Sequence, residues 1–153
     1  MPHILTTLLV ACLSLFSLAG SPSFAAGTSD GSSTAASQAG YPEAKAAVDA
    51  GNYAAALPML VMLTSDDPRN ADAWNLLGYT HRMLGENGEA SAAYLKVLAI
   101  NPDHLGALEY QGELFIQTGK PDLAKANLAR LQGLCGNCEE FGDLEKALTA
   151  AGV

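Results

Sequence analysis

Residues 71–102 read ADAWNLLGYTHRMLGENGEASAAYLKVLAINP. Trp74, Leu77, His81 and Leu84 fall at i, i+3, i+7 and i+10, one stripe along a helix. Gly85 stands where that helix must end, because glycine enters the left-handed region without a Cβ clash. A second helix follows and closes at Pro102. The small residues Gly78 and Ala90 allow the two helices to approach closely, and Tyr94 fills the next layer. Trp74 is accordingly a scaffold residue, buried between stacked helices rather than stacking on a ligand.

The pattern recurs with a period of 34 residues. Gly51, Gly85 and Gly119 share one column, and Ala56, Ala90 and Ala124 another. Leu60, Tyr94 and Leu128 hold the large apolar position, and Leu63, Val97 and Leu131 the next. Pro68 and Pro102 close two units, with Gly136 at the third. Ala44, Gly78 and Gly112 form the column of small residues on the first helix.

The order Trp74-x2-Leu77-Gly78, then Ala90-x3-Tyr94, then Pro102, resembles the tetratricopeptide repeat. His81 departs from the family's preferred Tyr, and Tyr94 replaces Phe conservatively. The resemblance covers residues 37–138 as three units, 37–70, 71–104 and 105–138, with degenerate ends. It implies an all-α fold, an α-solenoid of helix-turn-helix repeats. It also implies that the first helix of each unit lines a concave groove. By register that groove holds Tyr41, Lys45, Val48 and Asp49, then Asn75, Leu76, Tyr79, Arg82 and Met83, then Glu109, Tyr110, Glu113, Ile116 and Gln117.

Outside the repeats the chain divides by composition. Residues 1–25 hold a nearly unbroken apolar run, Ile4 to Ala19, ended by Gly20-Ser21-Pro22. Small residues at Ser23 and Ala25 suit signal peptidase, so export with cleavage after Ala25 is expected. The n-region lacks Lys and Arg, which leaves an uncleaved anchor as the competitor. Leu9-Val10-Ala11-Cys12 resembles a lipobox, although Cys12 sits inside the apolar run. Residues 26–40 are Gly, Ser, Thr and Ala with one charge, a flexible leader.

In the first unit Pro42 starts a helix to Ala50. The second helix, Tyr53 to Thr64, is expected to kink at Pro58 without breaking. In the third unit, helices are expected from Leu105 to Gln117 and from Pro121 to Leu131. Residues 139–153 follow as a capping helix, its stripe Phe141, Leu144 and Leu148 covering the end of the stack.

The chain of 153 residues is 49% hydrophobic with a formal charge of −8. It has no Lys/Arg cluster, which excludes a nucleic-acid binder held by phosphate contacts. No Gly-x-Ser-x-Gly, P-loop, Gly-x-Gly-x-x-Gly or His-Glu-x-x-His motif occurs, so no catalytic residue and no cofactor is assigned. Glu109 and Glu113 are i, i+4 neighbours, read as a solvated helix face. His81 is expected to be packed with one hydrogen bond, and His104 exposed in a first helical turn.

Cys135-x-x-Cys138 is the one chemically suggestive pair. Behind an export signal a disulfide is its natural state, pinning the last repeat to the capping helix. A redox-active dithiol lacks a strand–helix context. Two thiols are half a zinc site, which His81 or His104 would have to complete, and no metal is assigned.

The expected function is a non-enzymatic scaffold of the bacterial envelope, periplasmic or secreted, that binds a protein or peptide in the groove. A redox, metal or cytochrome-assembly helper using the cysteines, and a structural subunit of an envelope complex or homo-oligomer, stay open beside it. The mature form is expected to have no membrane span unless the signal is retained or Cys12 is lipidated.

Overall fold

The structure, a computed structural model, describes residues 40–153. The export signal, most of the leader and the lipobox look-alike at Cys12 lie outside the described residues. Seven helices follow one another: α1 Tyr41–Asp49, α2 Tyr53–Asp66, α3 Ala71–Met83, α4 Asn87–Ile100, α5 Leu105–Gln117, α6 Pro121–Cys135 and α7 Glu139–Ala151. They pack as the hairpins α1/α2, α3/α4 and α5/α6, stacked through α2 on α3 and α4 on α5. The last helix, α7, lies across α5 and α6 and covers the end of the stack. This is an all-α solenoid of three helix-turn-helix repeats with a cap.

The turns follow from the glycine column. Gly51, Gly85 and Gly119 have φ of 72°, 80° and 72°. Around Gly85, the Gly85 N–H donates to the Arg82 carbonyl and the Glu86 N–H to that of His81. The same two bonds recur at Gly51 and Gly119, three copies of one left-handed helix stop. Helix starts are also specified locally. Asn70 Oδ1 accepts from the Ala73 N–H, and His104 Nδ1 from the Ala107 N–H. Pro121 occupies the first turn of α6, where its missing N–H is not needed.

Packing uses the small-residue column directly. A Cβ on Gly78 would lie 2.6 Å from Tyr94 Cε1, and one on Gly112 would lie 2.6 Å from Leu144 Cδ2. The α3 backbone therefore rests on the fully buried Tyr94 ring, and the α5 backbone on the capping helix. Trp74 packs at the edge of the first core cluster, its Nε1–H donating to the Pro68 carbonyl at 3.2 Å. Asn127 Nδ2 ties α6 to α5 through the Leu108 carbonyl (3.0 Å) and Gln111 Oε1 (3.1 Å).

Helix α2 runs unbroken through Pro58. Two helices outrun their sequence-based ends: α2 reaches Asp66 and α6 reaches Cys135. Residues 64–66 hold no glycine to stop the first of them. Gly133 lies inside the second, where a helix interior tolerates it at about 1 kcal/mol.

Gly78→Ala gains about 1 kcal/mol of helix propensity. It also drives a methyl into a ring that cannot yield, which costs more. A net loss of about 1–3 kcal/mol is expected in denaturant unfolding. The same change at the open position Gly88, which meets nothing within 4 Å, should not destabilise.

Candidate functional site

The first helices of the repeats, α1, α3 and α5, share one side of the stack. Tyr41, Lys45, Val48 and Asp49 of α1, Asp72, Asn75, Leu76 and Tyr79 of α3, and Tyr110 of α5 line a cleft of about 440 Å³. Tyr53, from the start of α2, completes it. Eight of the fourteen groove residues named from register are thus brought together: Tyr41, Lys45, Val48, Asp49, Asn75, Leu76, Tyr79 and Tyr110. Tyr53 and Asp72 are additions that the first-helix columns did not contain. The aromatic floor is continuous, with Tyr53–Tyr79 ring centroids 6.1 Å apart and Tyr79–Tyr110 4.8 Å apart. Burial is the largest cause that holds the Tyr110 phenol up at about 12 and raises that of Tyr79, so both stay neutral hydroxyls.

The other six groove residues are placed differently: Ile116 packs against the core beneath the cap, Gln117 is exposed at the end of α5, and the remaining four each have their own setting. Met83 does not line the cleft and is exposed. Arg82 is only 8% exposed and forms a salt bridge with Glu113 of the next repeat. Its guanidinium carbon lies 5.2 Å from the Tyr79 ring centroid and 5.9 Å from that of Tyr110. Arg82 and Glu113 therefore lock two repeats together beneath the aromatic floor.

Glu109 is 8% exposed, so the solvated-face reading of the Glu109/Glu113 pair is overturned. The reason is α7, which packs on α5, while Glu113 turns to Arg82. Glu109 instead lines a second, adjoining pocket of about 330 Å³ with Asn75, His104, Gly106, Tyr110, Glu139, Glu140 and Asp143. Burial first, then the charges of Glu113, Asp143 and Glu140, push its carboxyl up to about 8.

His104 is likewise not exposed. Its Nδ1 caps α5 while Nε2 donates to Asp72 Oδ1 at 3.0 Å, tying the start of α5 to the start of α3. His81 is packed, with Nδ1 2.6 Å from Glu86 Oε2. The sulfurs of Cys135, at the end of α6, and Cys138, at the start of α7, are paired, their Cα atoms 5.6 Å apart. Among the described residues, no group of three His, Cys, Asp or Glu side chains is arranged to hold a metal ion. No described helix is long and apolar enough to cross a membrane.

The tetratricopeptide repeat family model matches residues 41–104, which span the first two hairpins and their groove positions. Residues 41–104 are tetratricopeptide repeats. Solved structures extend the match to the third hairpin. The first repeat domain of Spaghetti (RPAP3), bound to the HSP90 peptide SRMEEVD, superposes with a TM-score of 0.67 at 19% identity, over 76% of this chain and 94% of that one. The Yersinia enterocolitica type III secretion chaperone SycD, in complex with a peptide of the translocator YopD, gives 0.67 at 21% identity, over 80% and 92%. The first such domain of human RPAP3 gives 0.65 at 18% identity, over 76% and 94%. At these identities the likeness is one of fold. No protein of curated function matches the chain by sequence.

The buried Glu109 gives this repeat protein a pH signature. Its carboxyl titrates near 4.5 when unfolded and about 8 when folded, so the native state binds the extra proton between those values. Stability should fall as pH rises from about 4.5 to about 8 and level off above. Glu109→Gln should remove that slope and be the more stable protein at pH 9, by about 1–3 kcal/mol. Urea unfolding at a series of pH values checks it. A wild-type slope that the variant keeps would contradict the assignment.

Proposed function

We propose that this chain is a non-enzymatic scaffold that holds an extended segment of another protein in the cleft formed by α1, α3 and α5. The observation that carries the reading is the continuous floor of Tyr53, Tyr79 and Tyr110, rimmed by Tyr41, Asn75 and Leu76. Aromatic side chains offer large contact area at low entropy cost, and Asn75 can fix a backbone by hydrogen bonds. Solved neighbours support the mode, since the Spaghetti domain carries an HSP90 peptide and SycD a YopD peptide.

The charge of this cleft favours a different ligand from the acidic SRMEEVD segment. Lys45 is bonded to Asp49 at 2.7 Å, and Arg82 is committed to Glu113. No unpaired cation is left among the lining residues to receive a carboxylate.

The place of action that fits the sequence is the bacterial envelope, with residues 1–25 as an export signal and 26–40 as a leader. An oxidising compartment also suits a Cys135–Cys138 disulfide, which would join the third repeat to its cap. A thiol-dependent helper that uses this pair is the second reading.

A photo-crosslinking residue placed at Tyr79 in the full chain, in its native envelope, should yield one defined adduct. The same residue at Leu95, exposed on the outer surface of α4, should yield none. Equal labelling from both positions would remove the groove reading. Loss of the adduct in Cys135→Ser/Cys138→Ser, with the helical circular dichroism unchanged, would move the weight to the thiol pair.

A further inference from the structure

The pocket beside the cleft has a chemistry of its own. It lies between α3, α5 and α7 and shares Asn75 and Tyr110 with the aromatic cleft, so a segment in one reaches the other. Four carboxylates line it, Glu109, Glu139, Glu140 and Asp143, and no Lys or Arg does. Among the described residues Glu109 has no hydrogen-bond or ion-pair partner although it is more than nine-tenths buried. Asn75 Oδ1 is also buried without a partner and lines the same pocket. A Cβ on Gly106 would lie 3.0 Å from Asn75 Nδ2, so glycine there makes room for the amide. The Glu109 carboxyl, without a partner and open to the pocket, is an acceptor for a donor that enters it, with the unpartnered Asn75 amide oxygen in the wall.

We propose that this pocket receives a basic side chain, arginine before lysine, from the partner segment that lies in the groove. The inference rests on the groove reading and names what the bound segment must carry. A guanidinium presents several N–H donors in a fixed plane, which suits a pocket lined by several carboxylates. Tyr110 is also in the lining, so the pocket wall is partly aromatic. A metal ion is the poorer occupant, since no three of these acids converge as ligands. The cation comes from another chain: residues 1–39 contain no Lys or Arg.

Binding of a cation here is linked to a proton. Around Glu109 stand Glu113 and Tyr110 of its own helix, His104 at the start of that helix, Arg82 from α3, and Glu139, Glu140 and Asp143 from α7. Arg82 is already paired with Glu113, and Asp143 with Lys146. No charged side chain of α4 or α6 lines the pocket. A bound guanidinium would favour the ionised form of Glu109, so the complex should tighten as pH rises toward 9.

The test titrates the full chain with capped pentapeptides Gly-Leu-Xaa-Leu-Gly, where Xaa is arginine, lysine, norleucine or glutamate. NMR reads the Tyr79 and Tyr110 rings, the Asn75 amide and the Glu109 carboxyl carbon. The arginine peptide should bind about tenfold more tightly than the norleucine peptide, a difference of about 1.4 kcal/mol, and the glutamate peptide most weakly. Glu109→Gln, and separately Glu140→Gln at the half-buried rim, should shrink the ratio of arginine to norleucine affinity. The pH dependence should vanish in Glu109→Gln. Equal binding of arginine and norleucine peptides, with both Tyr rings perturbed, would overturn the pocket and leave the groove. Tyr rings unmoved by every peptide would overturn both. Displacement of the arginine peptide by millimolar magnesium ions, with the Glu109 signal saturating, would overturn the pocket in favour of a metal site.

Discussion

The absence of a side chain at Gly78 is the constraint from which the rest of the architecture follows. With nothing on that Cα, the α3 backbone settles onto the Tyr94 ring, and α3 and α4 become one tight hairpin. The next copy of the column, Gly112, uses the same freedom for a different neighbour, Leu144 of the capping helix. One sequence column thus serves a repeat-internal contact in the middle of the stack and a terminal contact at its end. Capping an open solenoid face is necessary because its apolar surface would otherwise meet water. Once both glycines are seated, α1, α3 and α5 lie side by side and their outward residues become a surface.

That surface is held by its own charges. Arg82 crosses from the second repeat to Glu113 of the third, and His104 at the start of α5 ties back to Asp72 at the start of α3. Breaking one partner of a buried pair leaves an uncompensated charge, which costs far more than the pair itself contributes. The groove is therefore pre-formed, with its cations committed to holding it and its tyrosines facing outward. Glu109, which forms no hydrogen bond, and Asn75, whose amide oxygen is buried without a partner, both line the pocket at one end. Acceptors gathered there suit a donor.

The fold is legible in the sequence because the period speaks three times over. Gly51, Gly85 and Gly119 mark the helix stops by spacing alone, and all three take positive φ with the same pair of capping bonds. The site is legible only in part. Register places a residue on a helix face but does not say what packs over that face. It puts Tyr41, Tyr79 and Tyr110 in the cleft, yet gives no sign that α7 buries Glu109. Nor does it show that Arg82 and Glu113, on different repeats, find each other. Met83 departs for the complementary reason: it sits at the end of α3, past the cleft's edge. His104 reads as a first-turn surface residue because its two bonds, one to its own helix and one to the start of α3, depend on how the helices stack.

The central claim is that the concave face is pre-formed by pairing between repeats, and the Arg82–Glu113 contact tests it most directly. Unfolding free energies of Arg82→Met, Glu113→Leu and the double variant would be measured by denaturant titration. Each single change is expected to cost about 3 kcal/mol, since it strands a buried charge. The double variant should recover most of that loss, a coupling of about 2 kcal/mol or more. Single changes within about 0.5 kcal/mol of wild type, adding without coupling, would contradict the account.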